Sequence, residues 1–402
     1  MIDLILFQLF VLVLMARIFA LLFESVKIPP LVGEILAGII IGNTFLYSSL
    51  HLETDIEVLR VFSELGVIFL LFTIGLETPF SELKKVGRTS TLVAILGVIF
   101  PFAFGYLLII SLGHPQVEAL FIGAAMVATS VGITARVIKD MGLTHTIESR
   151  VIIGAAVIDD ILGMVVLAIV SGIAVGGTLN IIDTLVVAVL AVLFVLAVIY
   201  VGTGLLPKAR NRVKIKERTS RSSLIRFGSS PLALALILCF GLSALASYIG
   251  LAAIIGAFLA GMVFAEFSDT MPVAEKFEPI NEFLVPFFFL YIGISVKIAS
   301  FAEVAILSLA ITALAIITKF VGCGLGAYKL GRRSATVIGV GMSPRGEVGL
   351  IVASVGLGIG SISSGMFSVV VAMSLLTTLI APPLLTYTFR RTASGKSMRV
   401  SK

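Results

Sequence analysis

Long apolar stretches, separated by short polar or glycine-bearing segments, run along almost the whole chain. A helix needs about 20 apolar residues to cross a hydrocarbon core of about 30 Å. By that measure the sequence predicts thirteen spans, near 4–23, 30–47, 59–77, 90–113, 118–138, 151–172 and 182–204, then 231–248, 250–268, 279–297, 299–327, 334–358 and 365–389. The expected fold class is therefore an all-α membrane protein of about thirteen transmembrane helices. Spans five and twelve carry polar, glycine-bearing interruptions, ATSVGIT at 128–134 and GMSPRGEVG at 341–349. The stretch at the N-terminus has neither a basic n-region nor a small-residue cleavage site, and is read as a retained helix.

Composition sharpens this picture. Of 402 residues, 58% are hydrophobic and 13% charged, against about 25% charged in a soluble domain. A water-soluble fold is excluded, and the spans leave no room for a sizeable soluble domain. The formal net charge of +6 does not point to nucleic acid, because the basic residues sit in short segments between spans. Most of the 29 Lys and Arg residues fall on one face: Lys27, Lys84, Lys85, Arg88, Lys139, Arg150, the linker 208–226, Lys276, Lys329, Arg332, Arg333 and the C-terminal tail. The opposite face has only Arg60 and Lys297. The positive-inside rule then puts the C-terminus in the cytoplasm and the N-terminus outside a cell's inner membrane. Cys239 and Cys323 lie in apolar runs without CxxC spacing, so they are read as packing residues.

The spans divide as six, one and six around the basic linker. Span one starts outside and span eight inside, so the two halves have opposite orientation, the layout of an inverted repeat. The interruptions fall in the fifth member of each half. Matched interruptions of this kind point to a transport site near the midplane.

Candidate chemistry lies at the same depth. Span six places Asp159 and Asp160 midway along an otherwise apolar helix. Together they oppose insertion by about 5–7 kcal/mol on insertion scales, a cost that a purely structural helix has little reason to carry. Neighbours on a helix point about 100° apart, so one carboxylate can face a cavity while the other faces a neighbouring helix. A carboxylate there holds a hard cation or a proton, but not both well, and that competition couples two fluxes. Lys319 in span eleven is a further charge at membrane depth. It needs a carboxylate partner, for which the span-six pair is the evident supplier, unless it snorkels towards the cytoplasmic loop. Thr129 and Ser130 offer hydroxyls at an unwound turn whose freed carbonyls suit a dehydrated cation, although both residue types also bond their own helix. Arg345 and Glu347 either stabilise the second interruption or pair with other buried charges, with Glu34, Glu64 and Glu77 as options for Arg345.

Four motifs, VGEILAGIIIG, ATSVGITARVI, GAAVIDDILG and PRGEVGLIVA, resemble those of the monovalent cation/proton antiporters, most of all the bacterial NapA-type sodium/proton antiporters. The resemblance runs over nearly the whole chain. It implies a homodimer, with dimerisation helices at roughly 1–50 and 182–268. Core helices at roughly 59–172 and 279–389 would move like an elevator. It further implies that Asp160 is the ion and proton carrier, that Asp159 pairs with Lys319, that Thr129 lies at the unwound crossing, and that exchange is electrogenic. The longer and more basic linker at 208–226 departs from the pattern and suggests regulation or lipid binding.

Expected partners are sodium (or lithium or potassium) ions, protons and membrane lipid, with no cofactor, no enzymatic activity and no nucleic acid. Potassium/proton exchange on the same fold is the nearest rival. A channel would need no proton-binding carboxylate. An intramembrane aspartyl protease needs aspartates on two helices and a GxGD motif, whereas these are adjacent and that motif is absent. No nucleotide-binding glycine loop is present to drive transport with ATP.

Overall fold

The computed structural model describes residues 2–26, 28–77, 87–143, 146–176, 231–249, 251–266 and 273–400, with scattered positions between 189 and 200. Most of the seventh expected span and all of the basic linker 208–226 lie outside the described residues. What is described is helical, without a strand. In chain order the helices are α1 (Ile2–Ser25), α2 (Pro30–Gly42), α3 (Phe45–Ser49), α4 (Leu52–Leu76), α5 (Arg88–Ser111), α6 (Gln116–Ala125), α7 (Val131–Asp140) and α8 (Ile147–Gly176). They continue with α9 (Pro231–Tyr248), α10 (Ala253–Ala265), α11 (Ala274–Ser295), α12 (Ile298–Gly326), α13 (Arg332–Gly341), α14 (Glu347–Gly358) and α15 (Ser364–Val400). Among the described residues, eight of these helices contain a segment long and apolar enough to cross a membrane.

Two expected spans are shorter than the hydropathy suggested. The stretch 30–47 ends as a helix at Gly42, where Asn43 donates its side-chain amide to the Ile39 and Val296 carbonyls and Thr44 caps α3. The stretch 250–268 is helical over Ala253–Ala265. Each helix has 13 residues, a rise of about 20 Å. Hydropathy averages over a window and is blind to such local turn chemistry.

The chain divides into two compact units. One comprises Asp55–Lys84 and Ser171–Phe288. Its interior is built on phenylalanine, with Phe69, Phe72 and Phe277 in ring contact and the Phe72 and Phe277 centroids 4.6 Å apart. Cys239 is buried in the same cluster. The Asn281 amide donates to Thr73 Oγ1 at 2.6 Å within this unit.

The other unit comprises Met1–Thr54, Lys85–Val170 and Phe289–Lys402 and holds every candidate site residue. Its most extensive helix pair is α5 with α12. Glycines set that approach. A Cβ at Gly322 would lie 2.5 Å from the Leu96 carbonyl oxygen, and one at Gly326 would lie 2.6 Å from the Val93 backbone. Small residues let backbones close in where the lipid supplies no hydrophobic drive. The close contact fixes the rotation of α12, and with it the direction of Lys319. Cys323, buried one turn further on, packs with Val93 and Ala327 as an apolar residue. Helix α15 runs beside α12, α13 and α14 and closes the unit around the two breaks.

Candidate ion-binding site

Two helix pairs are interrupted, and the interruptions meet. Helix α6 ends at Ala125 and α7 starts at Val131, while α13 ends at Gly341 and α14 starts at Glu347. Each break frees backbone groups that a membrane interior cannot solvate, so each must find partners within the protein. The breaks supply them to one another. The Ser130 N–H donates to the Pro344 carbonyl at 2.9 Å, Thr129 Oγ1 to the Met342 carbonyl at 3.3 Å and Thr134 Oγ1 to the Gly341 carbonyl at 2.7 Å. Ser130 Oγ donates to Glu347 Oε2 at 3.1 Å. The crossing is tight enough that a Cβ on Gly346 would fall 2.5 Å from both Cβ and Oγ of Ser130. Only glycine fits there without displacement.

Arg345 is fully buried and reaches the first break from the second. Its Nη1 donates to the Val127 and Ala128 carbonyls at 2.9 and 2.7 Å, and its Nη2 donates to the Ala315 carbonyl at 3.1 Å. The Arg345 N–H donates to Thr377 Oγ1, and Thr378 Oγ1 donates back to the Arg345 carbonyl at 2.9 Å. Of the two options left open by the sequence, Arg345 takes the backbone rather than Glu34, Glu64 or Glu77. Glu64 is instead paired with Arg60 at 3.0 Å.

Lys319 is also fully buried. Its Nζ donates to Asp159 Oδ1 and to the Val127 carbonyl, both at 2.6 Å. Val127 therefore accepts from two cationic side chains, and the ion pair is tied directly to the first break. Asp159 is 0% exposed and Asp160 is 8% exposed. Adjacent on α8, the two carboxylates point about 100° apart. Helix α8 is started well below them by Thr146, whose Oγ1 accepts from the Ser149 N–H at 3.2 Å. Among the described residues, Asp159 Oδ2 and Arg345 Nε are buried polar atoms without a hydrogen-bond partner.

The structure brings Thr129, Ser130, Asp159, Lys319, Arg345 and Glu347 into one hydrogen-bonded assembly, with Asp160 next in chain to its ion pair. Sequence reasoning missed Thr134, Thr377 and Thr378, which complete the coordination of the second break. Their signal was faint, because a threonine in a membrane helix usually bonds its own helix. It also missed Glu118 at the start of α6. That carboxylate accepts from the N–H and Oγ of Ser363 at 2.8 Å each and pairs with His114 Nδ1 at 2.9 Å, tying α6 to the turn before α15.

Chemically, the assembly is a polar layer in an apolar unit, in which the cations of Lys319 and Arg345 sit among an oxygen donor set of freed carbonyls, hydroxyls and the carboxylates of Asp159 and Glu347, with the Asp160 carboxylate next in chain. Such a donor set suits a hard monovalent cation and a proton. Known antiporters resemble the chain over most of its length. The chain is 36% identical to the Na(+)/H(+)-K(+) antiporter GerN of Bacillus cereus, over 93% of each chain. It is 33% identical to the high-affinity Na(+)/H(+) antiporter NhaS3 of Synechocystis, over 90% of this chain and 85% of that one. The solved structure of the sodium proton antiporter MjNhaP1 from Methanocaldococcus jannaschii shares the fold, with a TM-score of 0.66, 18% identity and 94% of each chain covered. The model of the transmembrane sodium/hydrogen exchanger family matches residues 10–391, and this multi-pass membrane protein belongs to that family.

Proposed function

We propose that the chain exchanges sodium ions for protons across a membrane, with Asp160 as the carboxylate for which the two compete. The observation that carries this reading is the unequal fate of the two aspartates. Asp159 is locked to Lys319 and wholly buried, whereas Asp160, the next residue on α8, keeps 8% exposure. Thr129 and the carbonyls of the breaks would complete the oxygen shell of the cation. Sodium needs the deprotonated carboxylate, so a proton on Asp160 expels it and the converse holds. The relatives' names support sodium and protons as the exchanged ions. Lys319 serves as a second proton carrier: when sodium draws Asp159 out of its ion pair, the lysine proton leaves. Two protons then move against one sodium ion, and the cycle carries charge.

The division of labour follows the same reading. All seven site residues fall within the proposed core ranges 59–172 and 279–389, while 1–50 and 182–268 would form the contact of a homodimer. The basic face is cytoplasmic, which puts the C-terminus inside and the N-terminus outside. A second reading, potassium/proton exchange, is favoured by the name of the GerN relative, which includes K(+).

The test is proton flux in proteoliposomes driven by Na⁺, Li⁺ or K⁺, for the wild type and Asp160→Asn. An amide cannot exchange a proton near neutral pH, so the variant should fold, insert and transport nothing. Normal sodium-driven flux through Asp160→Asn would overturn the assignment, and flux with K⁺ alone would select the second reading.

A further inference from the structure

A cleft of about 550 Å³ opens between α12, α13 and α15, and neither Asp159 nor Asp160 lines it. One end is apolar, walled by Ile316, Phe320, Val340 and Leu384. The other end carries Arg332 and Arg333, the first two residues of α13, with Thr336 one turn on. All three are exposed, and among the described residues neither guanidinium is paired with a carboxylate. On the flank, Ile317 is 57% and Tyr387 59% exposed, so the cleft opens sideways, where a membrane protein meets acyl chains.

We propose that this cleft is a binding site for an anionic phospholipid of the leaflet on the basic face. Its headgroup phosphate lies against Arg332 and Arg333, and an acyl chain lies along Phe320 and Leu384. The pattern decides the class of ligand. Two guanidinia that no carboxylate among the described residues pairs select an anion and suit a phosphate. An apolar trough running inward from them selects one that carries a hydrocarbon chain. A zwitterionic lipid would fill the trough but bring a second, repelled positive charge to the arginines. The far wall includes Ser343, within the break between α13 and α14. A bound lipid would therefore brace the half-helix that leads to the crossing.

The chain contains no tryptophan, so Tyr387→Trp supplies a single fluorophore on the rim. The full-length protein carrying it is placed in phosphatidylcholine nanodiscs containing a minority of brominated phosphatidylglycerol or, separately, brominated phosphatidylcholine. Brominated phosphatidylglycerol should quench the tryptophan at a mole fraction roughly tenfold lower, the scale expected for two interfacial arginines. Arg332→Gln with Arg333→Gln should abolish that preference. Removing the same charge elsewhere on the basic face, through Arg88→Gln with Lys276→Gln, should leave it intact. Thr336→Glu puts a carboxylate beside the headgroup and near a helix N-terminus that tolerates it. It should also abolish the preference, and it serves if the double arginine variant does not fold. Equal quenching by the two lipids, or a preference that survives both variants, overturns the proposal. So does release of the preference by inorganic phosphate beyond that by chloride at matched ionic strength, which would mark a free-anion site. None of these readouts involves transport, so they stand or fall separately from the antiport assignment.

Discussion

The two helix breaks cross at one place and solve the same problem in opposite ways. At the first, between α6 and α7, the freed carbonyls of Val127 and Ala128 are held by cations, the Arg345 guanidinium and the Lys319 ammonium. At the second, between α13 and α14, the carbonyls of Gly341, Met342 and Arg345 are held by the neutral hydroxyls of Thr134, Thr129 and Thr378. The lesson is one of stakes. A hydrogen bond to a charged donor contributes about 1.5–3 kcal/mol and a neutral one about 0.5–1.5 kcal/mol. The first break also shares a donor with the ion pair, so its backbone is linked to the charge state of the site. The second break is a fixed support.

Substitutions can break this asymmetry, and the largest effect is expected at Arg345. Arg345→Ala withdraws three charge-assisted bonds, strands the Ala128 carbonyl and leaves Val127 to Lys319 alone, which should cost on the order of 5 kcal/mol. The purified variant should melt far below the wild type, or fail to accumulate. A melting temperature within a few degrees of wild type would show that the guanidinium does not hold the first break.

Next comes Lys319→Gln, which leaves Asp159 as an uncompensated buried carboxylate and should cost about 3 kcal/mol. Adding Asp159→Asn should recover most of that loss, because both charges are then gone. A double variant no more stable than the single one would mean that the pair is not the coupled unit. Sodium-driven currents on a solid-supported membrane add the functional half. If Lys319 carries a proton, the current from Lys319→Gln disappears even where folded protein remains, and an undiminished current would leave the lysine a structural role only.

A steric version of the test uses Gly346→Ala, whose new Cβ meets Ser130 head-on. A cost of about 1–3 kcal/mol is expected, typical of overpacking, with partial rescue by Ser130→Gly. The smallest effect belongs to the neutral side of the comparison. Thr129→Val and Thr378→Val should each cost about 1 kcal/mol. A loss at either threonine as large as at Arg345 would erase the distinction between the breaks.

The pH dependence of exchange follows from competition at Asp160. Protons occupy the carboxylate as pH falls, so at constant sodium the flux should rise from acid towards alkaline pH. A flux that climbs steadily towards acid would count against a shared site.

What the sequence by itself determined was set by hydrocarbon thickness and the cost of burying charge. Apolar length announced membrane helices, and Asp159, Asp160 and Lys319 stood out because each opposes insertion and so needs a reason to be there. The polar, glycine-bearing segments at 128–134 and 341–349 announced interruptions, and the breaks at 126–130 and 342–346 overlap them, the first starting two residues earlier. Partnership was not legible, and only the tertiary structure decided it. Lys319 and Asp159 are 160 residues apart in sequence, and Arg345 meets Val127 across 218. A guanidinium that reads equally well as the partner of Glu34, Glu64 or Glu77 is assigned to bare carbonyls only once two broken helices are laid across each other. Hydropathy also cannot mark where Asn43 ends one helix and Thr44 starts the next, because a side chain that satisfies a helix terminus acts locally and leaves the average unchanged. Sequence periodicity reports the solvent that each stretch must face, whereas hydrogen-bond partners depend on which stretches become neighbours, and that is settled by packing.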